Sequence, residues 1–244
     1  MHLTCDDAVW TPILSVGSYF VQFYGFTFAY LSGVVSAIVG DVETGLKITL
    51  GLVHAASGVT AYLYVRALTG SRSAGFVAGL AYVLTFWHTQ LVLIMGRFTA
   101  GLVFTLIPLP FYAIEQIRKR PRARKSYALA GAISIALLSF THPGYAFWTI
   151  GFLLLYIAVL VASPQTRRQL PKREIAITLG LGLAFSLYLL LPMWVERYWT
   201  GLGVGFSMAN QAKPSWSQLL VWSNYRVRLT GIPAGHNHWF GGYV

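Results

Sequence analysis

The chain has 244 residues, of which 56% are hydrophobic and only 10% are charged, and its mean hydropathy is +0.59. A soluble domain carries about 25% charged residues, so this composition excludes an ordinary soluble enzyme and indicates a polytopic, all-α membrane protein. The single cysteine, Cys5, excludes an intramolecular disulfide framework and a cysteine-based zinc site.

The net charge of +11 is concentrated rather than spread. Ten of the eighteen Lys and Arg residues fall in two short segments, 118–125 and 167–173. Loops rich in Lys and Arg stay on the cytoplasmic side of a membrane, so the charge is explained by topology and by contact with membrane lipid. It does not indicate a nucleic-acid partner.

Apolar stretches along the chain predict about six transmembrane helices, over residues 46–66, 73–92, 98–117, 126–140, 145–163 and 174–195. An earlier apolar stretch, 21–39, overlaps the aromatic sequence YFVQFYGFTFAY at 19–30, which favours an interfacial or re-entrant helix, with a true span as the alternative. We therefore expect an outer loop with a juxtamembrane helix over 1–45, a transmembrane domain over 46–195 and an outer-facing aromatic and glycine-rich segment over 196–244.

The basic loops orient these helices. Placing the 118–125 loop inside also places the loops at 66–72 and 167–173 inside, so every basic loop falls on one side. The acidic loop at 41–43, Arg97 and the turn Thr141-His142-Pro143-Gly144 then fall outside.

Arg97 is the first candidate site residue, because a charge among apolar residues at a membrane boundary indicates function unless it snorkels to the interface. Its guanidinium suits bidentate binding of phosphate. His142 lies in a sharp turn between two predicted spans, where capping the turn is the simpler interpretation. His88 is expected at the outer end of the third span as an interfacial polar residue, and His54 is expected to be a hydrogen-bonded packing residue within the second.

Asp6 and Asp7 are adjacent carboxylates that precede the aromatic segment. Paired acids could bind a divalent cation or act as a general base, and a solvated pair near the terminus is the simpler interpretation. His236 and His238 could share a metal, but no carboxylate or cysteine lies beside them. The chain contains no P-loop, dinucleotide fingerprint, GxSxG or HExxH motif, and no metal or cofactor is predicted with certainty.

Several short motifs together resemble the GT-C class of integral membrane glycosyltransferases. The nearest likeness is to bacterial multi-span proteins described as membrane 6-pyruvoyl-tetrahydropterin-synthase-related. The motifs are Trp10-Thr11-Pro12, Gly17-Ser18-Tyr19, Phe23-Tyr24, Gly40-Asp41 with Lys47, Gly96-Arg97-Phe98-Thr99, Thr141-His142-Pro143 and Trp239-Phe240-Gly241-Gly242-Tyr243. The glutamate that usually follows the Arg97 motif is absent, since Ala100 or Gly101 stands near its place.

The resemblance implies transfer of a sugar from a polyprenyl-phosphate donor to an acceptor on the outer face of a bacterial or archaeal plasma membrane. It implies Asp6 or Asp7 as general base, Arg97 with His142 at the phosphate, and Trp10 and Tyr24 against sugar or prenyl chain. His88 completes the expected substrate-binding set. It also implies that the chain lacks a first span and a C-terminal part, as a piece of a larger or split protein would.

Two interpretations from other functional classes stay open. A transporter or non-catalytic membrane assembly subunit would use the same outer-facing cavity without a base. A lipid-scaffold protein would need no site at all.

Overall fold

The computed structural model of the protein describes residues 25–89, 91–92, 97–167 and 170–195. The chain divides into two compact units, Met1–Met193 and Trp194–Val244. The predicted outer-facing segment 196–244 lies outside the described residues.

The described residues form helices joined by short turns, as the apolar runs predicted. In chain order the helices are α1 (Thr27–Val39), α2 (Val42–Thr69), α3 (Arg72–Leu84), α4 (Phe86–Thr89), α5 (Phe98–Leu106), α6 (Pro108–Lys119), α7 (Arg124–Thr141), α8 (Pro143–Ala162), α9 (Pro164–Arg167) and α10 (Lys172–Val195), with a 3₁₀ turn at Pro121–Ala123.

Four helical segments of the described chain are long and apolar enough to cross a membrane: Val42–Thr69, Phe98–Lys119, Pro143–Ala162 and Lys172–Val195. The second is α5 and α6 together, which meet at Ile107 because the prolines that follow it interrupt the regular hydrogen-bond ladder. Large apolar side chains are exposed along these helices, as expected of surfaces that face lipid.

Helix α1 is 13 residues long, about 20 Å, which is shorter than the hydrocarbon core of a bilayer. It turns directly into α2 through two residues with opposite roles. Gly40 ends α1 with a left-handed φ of 82° and donates its N–H to Ser36 O. Asp41 begins α2 by accepting the N–H of Thr44 at 2.7 Å, and this hydrogen bonding lowers the pKa of the Asp41 carboxyl.

Helix α3 ends earlier than predicted. An apolar run over 73–92 predicted a full span, but α3 stops at Leu84 after 13 residues. Three polar side chains just beyond it satisfy its last carbonyls: Thr85 Oγ1 donates to Ala81 O, Thr89 Oγ1 donates to Val83 O, and His88 Nδ1 lies 3.0 Å from Tyr82 O. A helix can end at this depth only where its backbone groups are satisfied within the protein.

The basic loops meet at one end of the bundle. Lys119 Nζ donates to Leu68 O at 3.1 Å, which ties the end of α6 to the end of α2. Leu170, within the third basic loop, packs in one apolar cluster with Ile117 and Ala128. We call this the inner end, because positively charged loops stay cytoplasmic.

Candidate functional site

Arg97 lies at the start of α5, at the end of the bundle opposite the inner end. Its backbone N–H donates to Leu91 O at 3.0 Å, and its carbonyl accepts the N–H of Ala100 at 2.9 Å. The residue is partly buried, and Ala100 directly behind it is fully buried. The N-terminus of α5 adds positive potential where the guanidinium already lies, so this position favours an anion.

His142 joins α7 to α8 and caps the second of these helices. Its Nδ1 accepts the N–H of Tyr145 at 3.4 Å, and its ring lies 4.8 Å from the Tyr145 ring, edge to face. Pro143 occupies the first position of α8, where a missing N–H is tolerated. The capping role considered from sequence is therefore present. Because Nδ1 accepts, a neutral His142 carries its proton on Nε2 and can donate from that atom.

The fold brings the segments that carry Arg97 and His142, 45 positions apart in the sequence, to the same end of the bundle, where the entry to α1 packs against both. Burial lowers the pKa of His142, and the positive charge of Arg97 lowers that pKa further. The imidazole is therefore neutral at pH 7 and the guanidinium charged. The pair combines one fixed positive charge with one neutral N–H donor.

The first described residues of the chain pack against the neighbours of Arg97 and His142 in the sequence. A Cβ on Gly25 would lie 1.9 Å from Thr141 O, so only glycine fits against the turn that carries His142. Phe26 stacks on Phe140 at 5.5 Å, and Phe28 stacks on Phe98 at 6.2 Å. The entry into α1 thus packs against both the α7–α8 turn and the start of α5.

His88 follows the end of α3, but it is buried and is not the interfacial residue that we expected. It is only 3% exposed and packs 4.2 Å from Phe104 and 4.8 Å from His54, which belongs to the middle of α2. His88 is buried because α3 ends early, at Leu84, and the chain then turns toward the interior of the helix bundle at Thr85. The Phe104 ring in turn lies 6.5 Å from the Tyr145 ring, so an aromatic row leads from His54 and the buried His88 to the cap at His142.

Two ring nitrogens in this row carry no hydrogen bond within the described part of the chain, His88 Nε2 and His54 Nδ1. His54 was expected to be a hydrogen-bonded packing residue. Its ring packs against His88, but its Nδ1 makes no hydrogen bond with the described residues. His88 Nδ1 must donate, since Tyr82 O can only accept, and so Nε2 of a neutral His88 is an acceptor.

The expected catalytic acids, Asp6 and Asp7, and the expected aromatic contacts Trp10 and Tyr24 lie outside the described residues. The described acids lie away from Arg97. Asp41 and Glu43 are about 20 Å along α1 from its start, and Glu115 is about 27 Å along α5 and α6 from Arg97. Glu174 begins α10 at the inner end.

Sequence reasoning overlooked Glu115, which is the fully buried acid of the described chain at 0% exposure. Arg118 Nη1 lies 2.5 Å from its Oε1, Lys119 Nζ lies 3.6 Å from its Oε2, and the hydroxyl of Tyr156 donates to Oε1. A carboxylate inside the apolar run 98–117 was the signal that could have found it. Its neighbours are all at the inner end, so it supports the fold there.

No group of three or more His, Cys, Asp or Glu side chains that could hold a metal occurs among the residues with described positions. The divalent cation considered for Asp6 and Asp7 therefore stays a prediction, because both residues lie outside that part of the chain.

Comparison with known proteins gives one finding. The model of a family described as "6-pyruvoyl-tetrahydropterin synthase related domain; membrane protein" matches residues 21–205, well over half of the chain. No curated protein and no solved structure matches the chain. The match covers α1 to α10 and includes Arg97, His142 and His88, and so the chain belongs to the 6-pyruvoyl-tetrahydropterin-synthase-related family of membrane proteins.

Proposed function

We propose that this chain is a membrane glycosyltransferase of the GT-C type that moves a sugar from a polyprenyl-phosphate donor to an acceptor on the outer face. The observation that carries the proposal is that Arg97 and His142 occur at the same end of the bundle, opposite the basic loops, where the entry to α1 packs against the start of α5 and against the α7–α8 turn. A lipid-linked phosphate brings its charge to the membrane boundary, where this pair lies.

In the proposed reaction the acceptor hydroxyl oxygen attacks the anomeric carbon of the sugar. The bond from that carbon to the phosphate oxygen breaks, and the phosphate leaves with the bonding electrons. Asp6 or Asp7 takes the proton of the acceptor hydroxyl. Arg97 stabilises the charge on the leaving phosphate, and His142 donates from Nε2 to a second phosphate oxygen.

The aromatic row from His88 to Tyr145 supports the sugar-binding part of the proposal. His88 Nε2 is an acceptor without a hydrogen bond in the described part of the chain, and Phe104 and Tyr145 offer aromatic surface beside it. A sugar carries hydroxyl donors and apolar C–H faces, which match an acceptor set among aromatic rings.

We include in the proposal a topology of about six spans. In it, α3 and α7 are two further spans beside the four long helical segments, and α1 is the interfacial or re-entrant helix.

Native mass spectrometry of the purified chain with a polyprenyl phosphate tests the phosphate site. We expect wild type to retain the carrier, Arg97→Ala to lose it, and Arg97→Lys to retain part of it. Arg72→Ala is the matched control, because Arg72 is an exposed arginine at the inner end, and it should bind as wild type does. Equal retention by wild type and Arg97→Ala would remove the central residue of the proposal.

A transporter or non-catalytic assembly subunit is the second candidate function. It is favoured by the distance of the described carboxylates, Asp41, Glu43, Glu115 and Glu174, from Arg97. The double variant Asp6→Asn, Asp7→Asn separates the two functions. Transfer of labelled sugar from a polyprenyl-phosphate donor should be lost while carrier binding is kept, whereas a function that survives both substitutions would favour the second candidate.

A further inference from the structure

A basic cavity lies at the inner end of the bundle, far from Arg97. Its volume is about 340 Å³, and it opens between the last turns of α2 and α6. Three cationic side chains line it together with aromatic, amide and small residues; those used below are Arg66, Lys119, Arg120, Tyr112, Gln116 and Gly70. We call it the inner basic cavity.

The two arginines are positioned by tyrosines rather than by acids. Arg66 Nη1 donates to the Tyr62 hydroxyl at 3.2 Å, and its guanidinium lies 5.8 Å from the Tyr62 ring. Arg120 Nη1 donates to the Tyr127 hydroxyl at 3.4 Å, and its guanidinium lies 6.0 Å from that ring. A guanidinium has five N–H donors. Each arginine therefore keeps its full charge and most of its donors for a ligand, as far as its contacts with described residues go.

Lys119 has a different role. Its Nζ donates to Leu68 O at 3.1 Å and to Ala67 O, and it lies 3.6 Å from Glu115 Oε2. It thus fixes one wall of the cavity by joining the end of α2 to α6. Gly70, which ends α2 with a left-handed φ of 77°, also lines the cavity and adds no side chain to it.

Charge balance makes the cavity electropositive. Glu115 is the nearby acid in the described chain, and Arg118 at 2.5 Å already compensates it. The Arg66 and Arg120 charges therefore have no described acid as partner. Gln116, only 6% exposed, adds a polar group to the lining, and Tyr112 adds an aromatic wall.

We propose that the inner basic cavity binds the phosphate group of an anionic phospholipid through Arg66 and Arg120. Arginine binds phosphate oxygens through its planar fork of donors, and basic pockets between membrane helices on the cytoplasmic side suit lipid headgroups. The lipid source is favoured over a soluble phosphate because Leu68, beside the cavity, is an apolar side chain that is 43% exposed on a helix long and apolar enough to cross a membrane. This site is separate from the proposed outer site, so either can fail without the other.

The test uses the full chain in nanodiscs of phosphatidylcholine with or without phosphatidylglycerol, followed by native mass spectrometry of retained lipid. The variant Arg66→Gln, Arg120→Gln should retain phosphatidylglycerol about tenfold less well than wild type. The control Arg72→Gln, Arg122→Gln removes the same charge from exposed positions of the same end and should retain it as wild type does. Equal losses in both variants would show a general charge effect and overturn the proposal.

A second pair of variants decides the matter if the glutamine variant fails to fold. Arg66→Lys, Arg120→Lys keeps the charge but loses the fork, and it should still bind phosphatidylglycerol several-fold more weakly than Arg72→Lys, Arg122→Lys. Glycerol 3-phosphate serves as the soluble probe in detergent. If it binds the cavity in an Arg66- and Arg120-dependent way while phosphatidylglycerol does not, the site takes a soluble phosphate and the lipid assignment is wrong.

Discussion

At the scale of single residues, His142 has two separable roles. It caps α8 through Nδ1, and in the proposed function it donates to phosphate from Nε2. Asparagine is a good N-cap and alanine is not. We expect His142→Asn to keep the thermal stability of wild type while losing carrier binding, and His142→Ala to lose about 1 kcal/mol of stability as well. Thermal melting in detergent beside native mass spectrometry measures both, and binding by His142→Asn would contradict the donor role.

The pH dependence of stability follows from the lowered pKa of His142. The imidazole of the unfolded chain binds a proton near pH 6.5, whereas that of the folded chain stays neutral to lower pH. The contribution of His142 to the free energy of unfolding is therefore fully present above about pH 7.5 and falls as the pH drops below about 6.5. The difference in melting temperature between wild type and His142→Asn, measured from pH 8 to about pH 5, should change in the direction that favours the variant at acid pH.

Glu115 shows how burial changes the worth of an ion pair. Glu115 with Arg118 and Glu43 with Lys47 are both at 2.5 Å, but the first carboxylate is 0% exposed and the second is 76% exposed. Removing one partner of a buried pair leaves a buried charge and costs about 3–5 kcal/mol, while an exposed pair contributes less than about 1 kcal/mol. We expect Arg118→Ala, which leaves the buried Glu115 without its closest partner, to lower the melting temperature strongly and Lys47→Ala to leave it nearly unchanged. Similar melting of the two variants would mean that water reaches Glu115.

At the scale of elements, α2 and α3 pack through glycines. A Cβ on Gly79 would lie 2.7 Å from Gly58 O, which is backbone and cannot yield as a flexible side chain can. Gly75 and Gly79 form a Gly-x-x-x-Gly pattern, which allows two helices in a membrane to approach closely. We expect Gly79→Ala to destabilise the fold by about 1–3 kcal/mol. Gly51→Ala is the control, since nothing lies within 4 Å of its Cβ, and it should leave melting unchanged or raise it slightly.

Element boundaries show where sequence reasoning reached its limit. Apolar runs predicted the segments that became α2, α5 with α6, α8 and α10, because length and hydropathy determine what can cross a bilayer. The end of α3 at Leu84 could not be predicted this way, since the apolar run continues past it. Hydrogen bonds from the side chains of Thr85, His88 and Thr89 end the helix, and hydropathy does not register such bonds.

The candidate site was predictable in part. The alternation of inside and outside loops along the chain predicted that Arg97 and His142 lie on one side of the membrane. Their positions within the bundle depend on packing between α5, the α7–α8 turn and the entry to α1. The i+3 and i+4 spacing of Arg118 and Lys119 from Glu115 can be read along the chain, whereas the contact from Tyr156 on α8 cannot. Contacts between helices distant in sequence are therefore the part that the sequence alone does not specify.

At the scale of the whole molecule, the two ends of the bundle differ in charge, and this asymmetry predicts orientation. The inner end gathers the three basic loops, whereas the opposite end carries Asp41, Glu43 and the Arg97–His142 pair. Cysteine labelling tests this directly, after Cys5→Ser removes the natural thiol. Thr44 at the α1–α2 turn, Gly144 beside His142 and Arg122 in the basic loop are all exposed and suit single cysteines.

With a membrane-impermeant maleimide on intact cells, we expect Thr44→Cys and Gly144→Cys to be labelled and Arg122→Cys to react only after permeabilisation. This pattern is required if Arg97 and His142 meet a lipid-linked phosphate outside while the inner basic cavity meets the cytoplasmic leaflet. Labelling of Arg122→Cys in intact cells would show that the protein has the opposite orientation in the membrane. The Arg97–His142 pair would then face the cytoplasm, and a transferase acting at the outer face would be excluded whatever the binding measurements showed.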